Sequence, residues 1–92
     1  MVLKNGKTVT FVYRPDQNDC HTVALAGSFN DWEPGKGKMT RQKDGSFRKR
    51  INLTPGEYRY KFVVDESTWL EDPQADKQTT NGFGTKDSVV VV

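Results

Sequence analysis

The sequence predicts an all-β domain in which antiparallel sheets pack as a β-sandwich. Three observations predict it. Apolar and polar residues alternate with a period of two in several short stretches. Clusters of Gly, Pro, Asn and Asp break those stretches about every ten residues, giving about six or seven short strands. No stretch shows the three-to-four spacing of apolar residues that an amphipathic helix needs. The chain has 92 residues, enough for one small domain spanning 1–92, with no internal repeat and no linker.

The elements follow in order. Thr8 to Tyr13 alternates, with Val9, Phe11 and Tyr13 on one face and Thr8 and Thr10 on the other. Arg14 to Asp19 is a polar turn. Thr22 to Gly27 is a second strand, with Val23 and Leu25 inward and the small Ala24 and Ala26 opposite. Pro34-Gly35-Lys36-Gly37 is a flexible connection, and Lys38 to Gln42 forms a short strand with Met39 as its apolar contact. Asp44-Gly45 predicts a two-residue type I′ hairpin turn, which needs positive φ at both positions. In the strand after it, Phe47, Ile51 and Leu53 share a face with Lys49, whose stem snorkels to an edge. Thr54-Pro55-Gly56-Glu57 predicts a type II turn.

Tyr58 to Val64 is the clearest strand. Tyr58, Tyr60, Phe62 and Val64 point one way, into the core, and Arg59, Lys61 and Val63 point the other. Asp65 to Thr68 turns the chain, Trp69-Leu70 make a short return, and Asp72-Pro73 stops it. Gln74 to Gly84 is polar and reads as a loop. Asp87 to Val92 closes the domain. Its four consecutive valines predict burial on both faces, or an edge that pairs with something.

Composition excludes several classes of function. There is no apolar run long enough to span a membrane, and Met1 to Gly6 is too polar for a signal peptide. A single cysteine, Cys20, excludes an internal disulfide and fits a reducing compartment, by default the cytoplasm. The net charge is +2, from 14 basic and 12 acidic residues, too balanced to imply a polyanion. The basic cluster Arg48-Lys49-Arg50 reads as a solvated strand face; single-stranded nucleic-acid binding through it would be steeply salt-dependent.

The residues for catalysis are poorly arranged. Cys20 and His21 are adjacent, so on a strand they point to opposite faces and make a poor nucleophile–base pair. One His and one Cys are too few for a zinc site without carboxylates. The acidic pairs Asp31 and Glu33, Asp65 and Glu66, and Glu71 and Asp72 fall in turns, where plain solvation is the expected role. No phosphate-cradling Gly loop opens a helix. A binding domain without enzymatic activity, cofactor or metal is expected.

The residues for binding a sugar are better arranged. A sugar has flat apolar C–H faces and a hydroxyl rim, so its site needs aromatic plates with a few donors and acceptors. Gly27-Ser28-Phe29-Asn30-Asp31-Trp32 places an indole in a polar loop, and Trp69 sits beside a turn. Lys61 lies between them in sequence and faces away from the aromatic core. Read alone, each tryptophan serves equally well as a cap on that core.

Three segments in this order, the 27–32 loop, Pro55 to Asp65, and Trp69-Leu70-Glu71-Asp72-Pro73, carry a more specific signal. They resemble the glycogen-binding carbohydrate-binding modules, also called isoamylase N-terminal or early-set domains. Such modules occur in the β-subunit of AMP-activated protein kinase and beside the catalytic domains of glycogen branching and debranching enzymes. The resemblance runs from about Thr8 to Val92. It implies an immunoglobulin-like sandwich that binds α-1,4-linked glucans without catalysis, in company with a glycoside hydrolase, branching enzyme or kinase. It implies that Trp32 and Trp69 stack on glucose rings and that Lys61 bonds to hydroxyls. Phe83 stands where the family has a leucine that projects into the glucan, and Thr85 matches a hydroxyl-binding threonine. Asp87 replaces an asparagine; ionised, it accepts hydrogen bonds but cannot donate them. The alternative reading is a sandwich that docks to a catalytic domain, through its Val89–Val92 edge, with little sugar binding.

Overall fold

The computed structural model describes residues 2–15, 22–80 and 86–92. The readings of Cys20, His21, Phe83 and Thr85 fall outside them. The strands in chain order are β1 (Val2–Asn5), β2 (Thr8–Tyr13), β3 (Val23–Gly27), β4 (Thr40–Arg41), β5 (Phe47–Asn52), β6 (Glu57–Val64), β7 (Thr68–Leu70), β8 (Lys77–Thr80) and β9 (Lys86–Val91). One sheet has the order β1-β2-β5-β4; the other has β3-β6-β9-β8, with β7 also paired to β6. Every strand pairing is antiparallel. The expected all-β sandwich is the observed architecture.

The core forms where the alternating strands predicted it. Val9, Phe11, Val23, Leu25, Tyr60, Phe62 and Val90 are buried together between the sheets. The Phe11 and Tyr60 rings meet edge to face at 4.9 Å, and Tyr60 meets Phe62 in the same manner at 5.8 Å. Aromatic contacts of this geometry add about 0.5–1.5 kcal/mol each beyond burial. Lys49 stands opposite Phe11 in the register and is half-buried, consistent with a stem laid along the sheet.

Several local expectations are corrected. Residues 74–84 are not all loop: Lys77–Thr80 forms β8 against β9. Its polar sequence hides it, because the strand is set by the backbone edge that β9 offers. The N-terminal β1 is likewise set by pairing with β2. β8 covers the β9 edge, and the N–H of Val91 donates to Asp76 Oδ2 at 2.8 Å. β8 thus pairs with residues 86–89 and reaches the start of the Val89–Val92 edge named in the docking alternative, and beyond it Asp76 takes the Val91 N–H.

The turns differ too. Gly45 has φ 87°, but Asp44 does not share a positive φ. The N–H groups of Gly45 and Ser46's partner Gln42 close a three-residue loop, Gly45 N–H to Gln42 O at 3.0 Å and Gln42 N–H to Ser46 O at 2.7 Å. Asp44 Oδ1 accepts from both the N–H and the hydroxyl of Ser46, which favours this bulged loop over a type I′ turn. The paired positive φ values occur instead at Asp65 (51°) and Glu66 (67°). Gly56 has φ 152° and exchanges both backbone hydrogen bonds with Val92. It therefore extends the ladder, where a type II turn would need φ near about 80°. Pro34–Lys36 forms one turn of 3-10 helix.

Asp72 is the largest correction. It was expected to be solvated, yet it is 1% exposed. Tyr60 and Ser88 are register partners on the core side of β6 and β9, and both bond to it. The Tyr60 hydroxyl donates to Asp72 Oδ2 at 2.7 Å, and the Asp72 N–H donates to Ser88 Oγ at 2.7 Å. Gln74 N–H reaches Oδ1, and the Gln78 amide reaches the Asp72 carbonyl. The carboxylate thus ties the segment after β7 to the sheet and stays buried because its oxygens find donors.

Candidate functional site

The site is built on the outward face of the five-stranded sheet. Side chains alternate along β6, so the face opposite Tyr60 and Phe62 carries Arg59, Lys61 and Val63. The register adds neighbours to each. Ala26 lies opposite Lys61, and Ala24 opposite Val63; these small side chains keep the face low beside the β6 residues. Trp69 lies opposite Val63 on β7. Val63 is buried although it points away from the core. Trp69 itself remains 46% exposed. A large apolar ring held on a flat face and left wet is the form an aromatic plate takes.

Lys61 and Asp87 form an ion pair on the same face. Lys61 Nζ lies 3.7 Å from Asp87 Oδ1, with side chains only 14% and 7% exposed. The pair holds the ammonium on the face that carries Trp69, two positions along β6 from Val63, the register partner of Trp69. It also gives the carboxylate that stands in the asparagine's place a partner inside the protein. A hydroxyl reaching this point meets a donor and an acceptor side by side.

Trp32 comes to the site by another route. β3 ends opposite Tyr60, and the chain turns out at Gly27. Asn30 clamps this turn: its Oδ1 accepts from Gly27 N–H at 3.0 Å, and its Nδ2 donates to Leu25 O at 2.8 Å. Trp32 N–H donates to Gly27 O at 2.9 Å. Phe29 anchors the loop by packing against Phe11 and Tyr58. A Cβ at Gly27 would lie 2.5 Å from Arg59 O, and one at Gly37 only 1.9 Å from Leu25 O. Only glycine lets the two passes of chain approach β3 and β6 so closely. The result is unusual at the tip. Asp31 and Trp32 both have positive φ, 56° and 59°, a conformation that costs about 1–3 kcal/mol in a bulky residue. Trp32 is half-buried.

The structure thus brings Lys61, Trp69 and Asp87 onto one face and carries Trp32 on the clamped loop that leaves the same sheet. Phe83 and Thr85 lie in the segment 81–85, outside the described residues. The supporting residues Asn30, Gly27 and Gly37 were not singled out from the sequence as parts of a site; the only signal was their place in and after the 27–32 segment. Among the described residues, no group of three or more His, Cys, Asp and Glu side chains could hold a metal ion. No helix there is long and apolar enough to cross a membrane.

Comparison with known proteins decides the family. The model for the glycogen recognition site of AMP-activated protein kinase matches residues 8–92. The chain belongs to this family. As a member of the glycogen-recognition family it is 37% identical over 80 residues to Protein FLOURY ENDOSPERM 6, chloroplastic, of Oryza sativa subsp. japonica, a match covering 87% of this chain and 14% of that protein. It is also 37% identical over 70 residues to 5'-AMP-activated protein kinase subunit beta-1 of Sus scrofa, covering 76% of this chain and 53% of the subunit. The glycogen-recognition domain therefore spans about half or less of these relatives. In fold it is similar to part of the maltogenic amylase from S. marinus, with TM-score 0.72 and 24% identity over 92% of this chain and 13% of the amylase.

Proposed function

We propose that this domain binds α-1,4-linked glucans such as glycogen and starch, without catalysis of its own. The observation that carries the reading is the wet Trp69 ring, set by the β6–β7 register on the face that holds the Lys61–Asp87 pair. Trp69 and Trp32 supply plates for the C–H faces of glucose. Lys61 donates to ring hydroxyls and Asp87 accepts from them; the family resemblance alone adds Phe83 and Thr85 to the ligand contacts. Family membership supports the ligand class, since the family is named for glycogen recognition. The domain acts in company with a glycoside hydrolase, branching enzyme or kinase, and its compartment is the cytoplasm.

The site is weak by design. Two ring stacks and a few hydrogen bonds, less ordering costs, give on the order of −4 to −7 kcal/mol, a Kd of roughly 1 mM to 10 μM. The experiment is native electrophoresis through gels containing glycogen, with maltoheptaose titrated against tryptophan fluorescence. Retardation should be clear in the parent and weak in Trp69→Ala and Trp32→Ala, and it should depend little on salt because the ligand is neutral. Equal retardation of the parent and both variants would sink the assignment of the plates.

A further inference from the structure

A groove of about 390 Å3 opens on the same outward face, lined by Glu57, Arg59, Lys77, Gln78, Thr79 and Val89. It begins where the site described above ends. Thr79 is the β8 register partner of Asp87, and Asp87 pairs with Lys61. One rung further along, Arg59, Val89 and Lys77 lie side by side. Two residues of β6 separate Lys61 from Arg59, about 7 Å, a step comparable to a pyranose ring. Val89 makes a small apolar floor, and the walls carry donors and acceptors. Glu57 holds Lys77 in an ion pair. Arg59 is exposed, and among the described residues no side chain or carbonyl bonds to its guanidinium. Its backbone, however, is fixed: its N–H donates to Ser28 Oγ at 3.2 Å, and its carbonyl accepts from Ser28 N–H at 2.9 Å. The loop that carries Trp32 therefore also positions Arg59.

We propose that this groove is a further subsite for the glucan chain, in which Arg59 donates to hydroxyls of the sugar residue beyond Lys61. The proposal rests on the glucan-binding reading above. With no aromatic ring among its lining residues, the subsite works by hydrogen bonding, so it rewards chain length without binding a lone sugar. A guanidinium with five N–H donors in a fixed fork suits a pair of neighbouring hydroxyls.

The test measures Kd for maltotriose and maltoheptaose by calorimetry on the parent, Arg59→Ala and Lys77→Ala, with thermal unfolding as the check on folding. The quantity read is the gain in affinity from the short sugar to the long one. Arg59→Ala should cut that gain by about three- to tenfold, the loss expected for one or two hydrogen bonds, and Lys77→Ala by about twofold. Arg59→Gln, which keeps part of the stem over the sheet, replaces Arg59→Ala if the latter unfolds early. An unchanged gain in a folded Arg59 variant overturns the subsite, as does a parent that binds both sugars equally. A parent that binds neither sugar overturns the glucan reading itself, and the subsite with it.

Discussion

Tyr60 meets Asp72 where an isolated carboxylate would be costly, and the phenol stabilises it by a 2.7 Å hydrogen bond. Burial, reinforced by the neighbouring Asp72, pushes the Tyr60 hydroxyl well above its usual value of 10.0. Because the folded-state pKa is raised, the stability this phenol contributes is complete below pH 10 and is lost as pH rises beyond it. Tyr60→Phe keeps the ring and removes the donor. It should destabilise the domain by about 1–3 kcal/mol at neutral pH, since Asp72 Oδ2 loses its phenol donor, and should flatten the alkaline limb of the stability profile. Urea unfolding at pH 7 and pH 10.5 checks both; equal stability of variant and parent would show that the hydrogen bond contributes nothing. Trp32 shows the opposite balance, a residue held in a costly backbone conformation. Its positive φ is sustained by the Asn30 clamp and the close approach at Gly27 and Gly37. Strain of this sort is tolerated where the surroundings over-determine it, often at a binding site.

At the scale of the elements, β1 and β8 belong to different sheets, and a charged pair ties them. Lys4 of β1 bonds to Asp76, just before β8, and Asp76 also accepts from Val91 N–H on β9. The Lys4 hydrogen bond first, and the backbone N–H second, hold the Asp76 carboxyl below its usual value of 3.8. With the folded pKa depressed, this contribution is complete above pH 3.8 and is lost as pH falls through the lower folded value. The pair is partly exposed, so its net contribution is under about 1 kcal/mol. Asp76→Asn should lower stability slightly at pH 7 and leave variant and parent alike near pH 2; circular dichroism melts at both values test it. These ties also mark what a reader of the sequence can and cannot see. β6 was legible because one of its faces is core and the other is not, so Tyr58, Tyr60, Phe62 and Val64 alternate with Arg59 and Lys61. β8 was not, because Lys77-Gln78-Thr79-Thr80 has no apolar face, and its strand form comes from the unpaired edge of a distant strand. The turns failed for a related reason. Asp44-Gly45 carries the local preference for a type I′ turn, whereas Asp65-Glu66 adopts paired positive φ while Thr22 bonds to Asp65 across 43 positions of chain. Trp69 and Lys61 could be picked out as candidates from local pattern, Trp69 as an indole beside a turn and Lys61 as a residue alternating away from the aromatic face of β6. The Lys61–Asp87 pair could not, because it depends on the β6–β9 register.

For the molecule as a whole, the binding face is a single shallow sheet surface on a domain of 92 residues, so affinity for one short glucan has a low ceiling. A polysaccharide such as glycogen changes the arithmetic, because it presents many chain ends close together. Once one domain is bound, a second one tethered to it meets the next chain at an effective concentration of about 1 mM for a short flexible linker. That is at or above the Kd expected for one site, so the second contact forms readily. Two copies of the domain joined by a Gly/Ser linker should therefore bind glycogen about 10- to 100-fold more tightly than one copy, while per-domain affinity for maltoheptaose stays the same. A tandem in which one copy carries Trp69→Ala should fall back to single-copy binding on glycogen. Sedimentation with glycogen and calorimetry with maltoheptaose separate the two quantities. If the tandem bound glycogen no better than the single domain, the weak outward face described here would not be what attaches this fold to a polysaccharide, and a tighter contact elsewhere would have to be found.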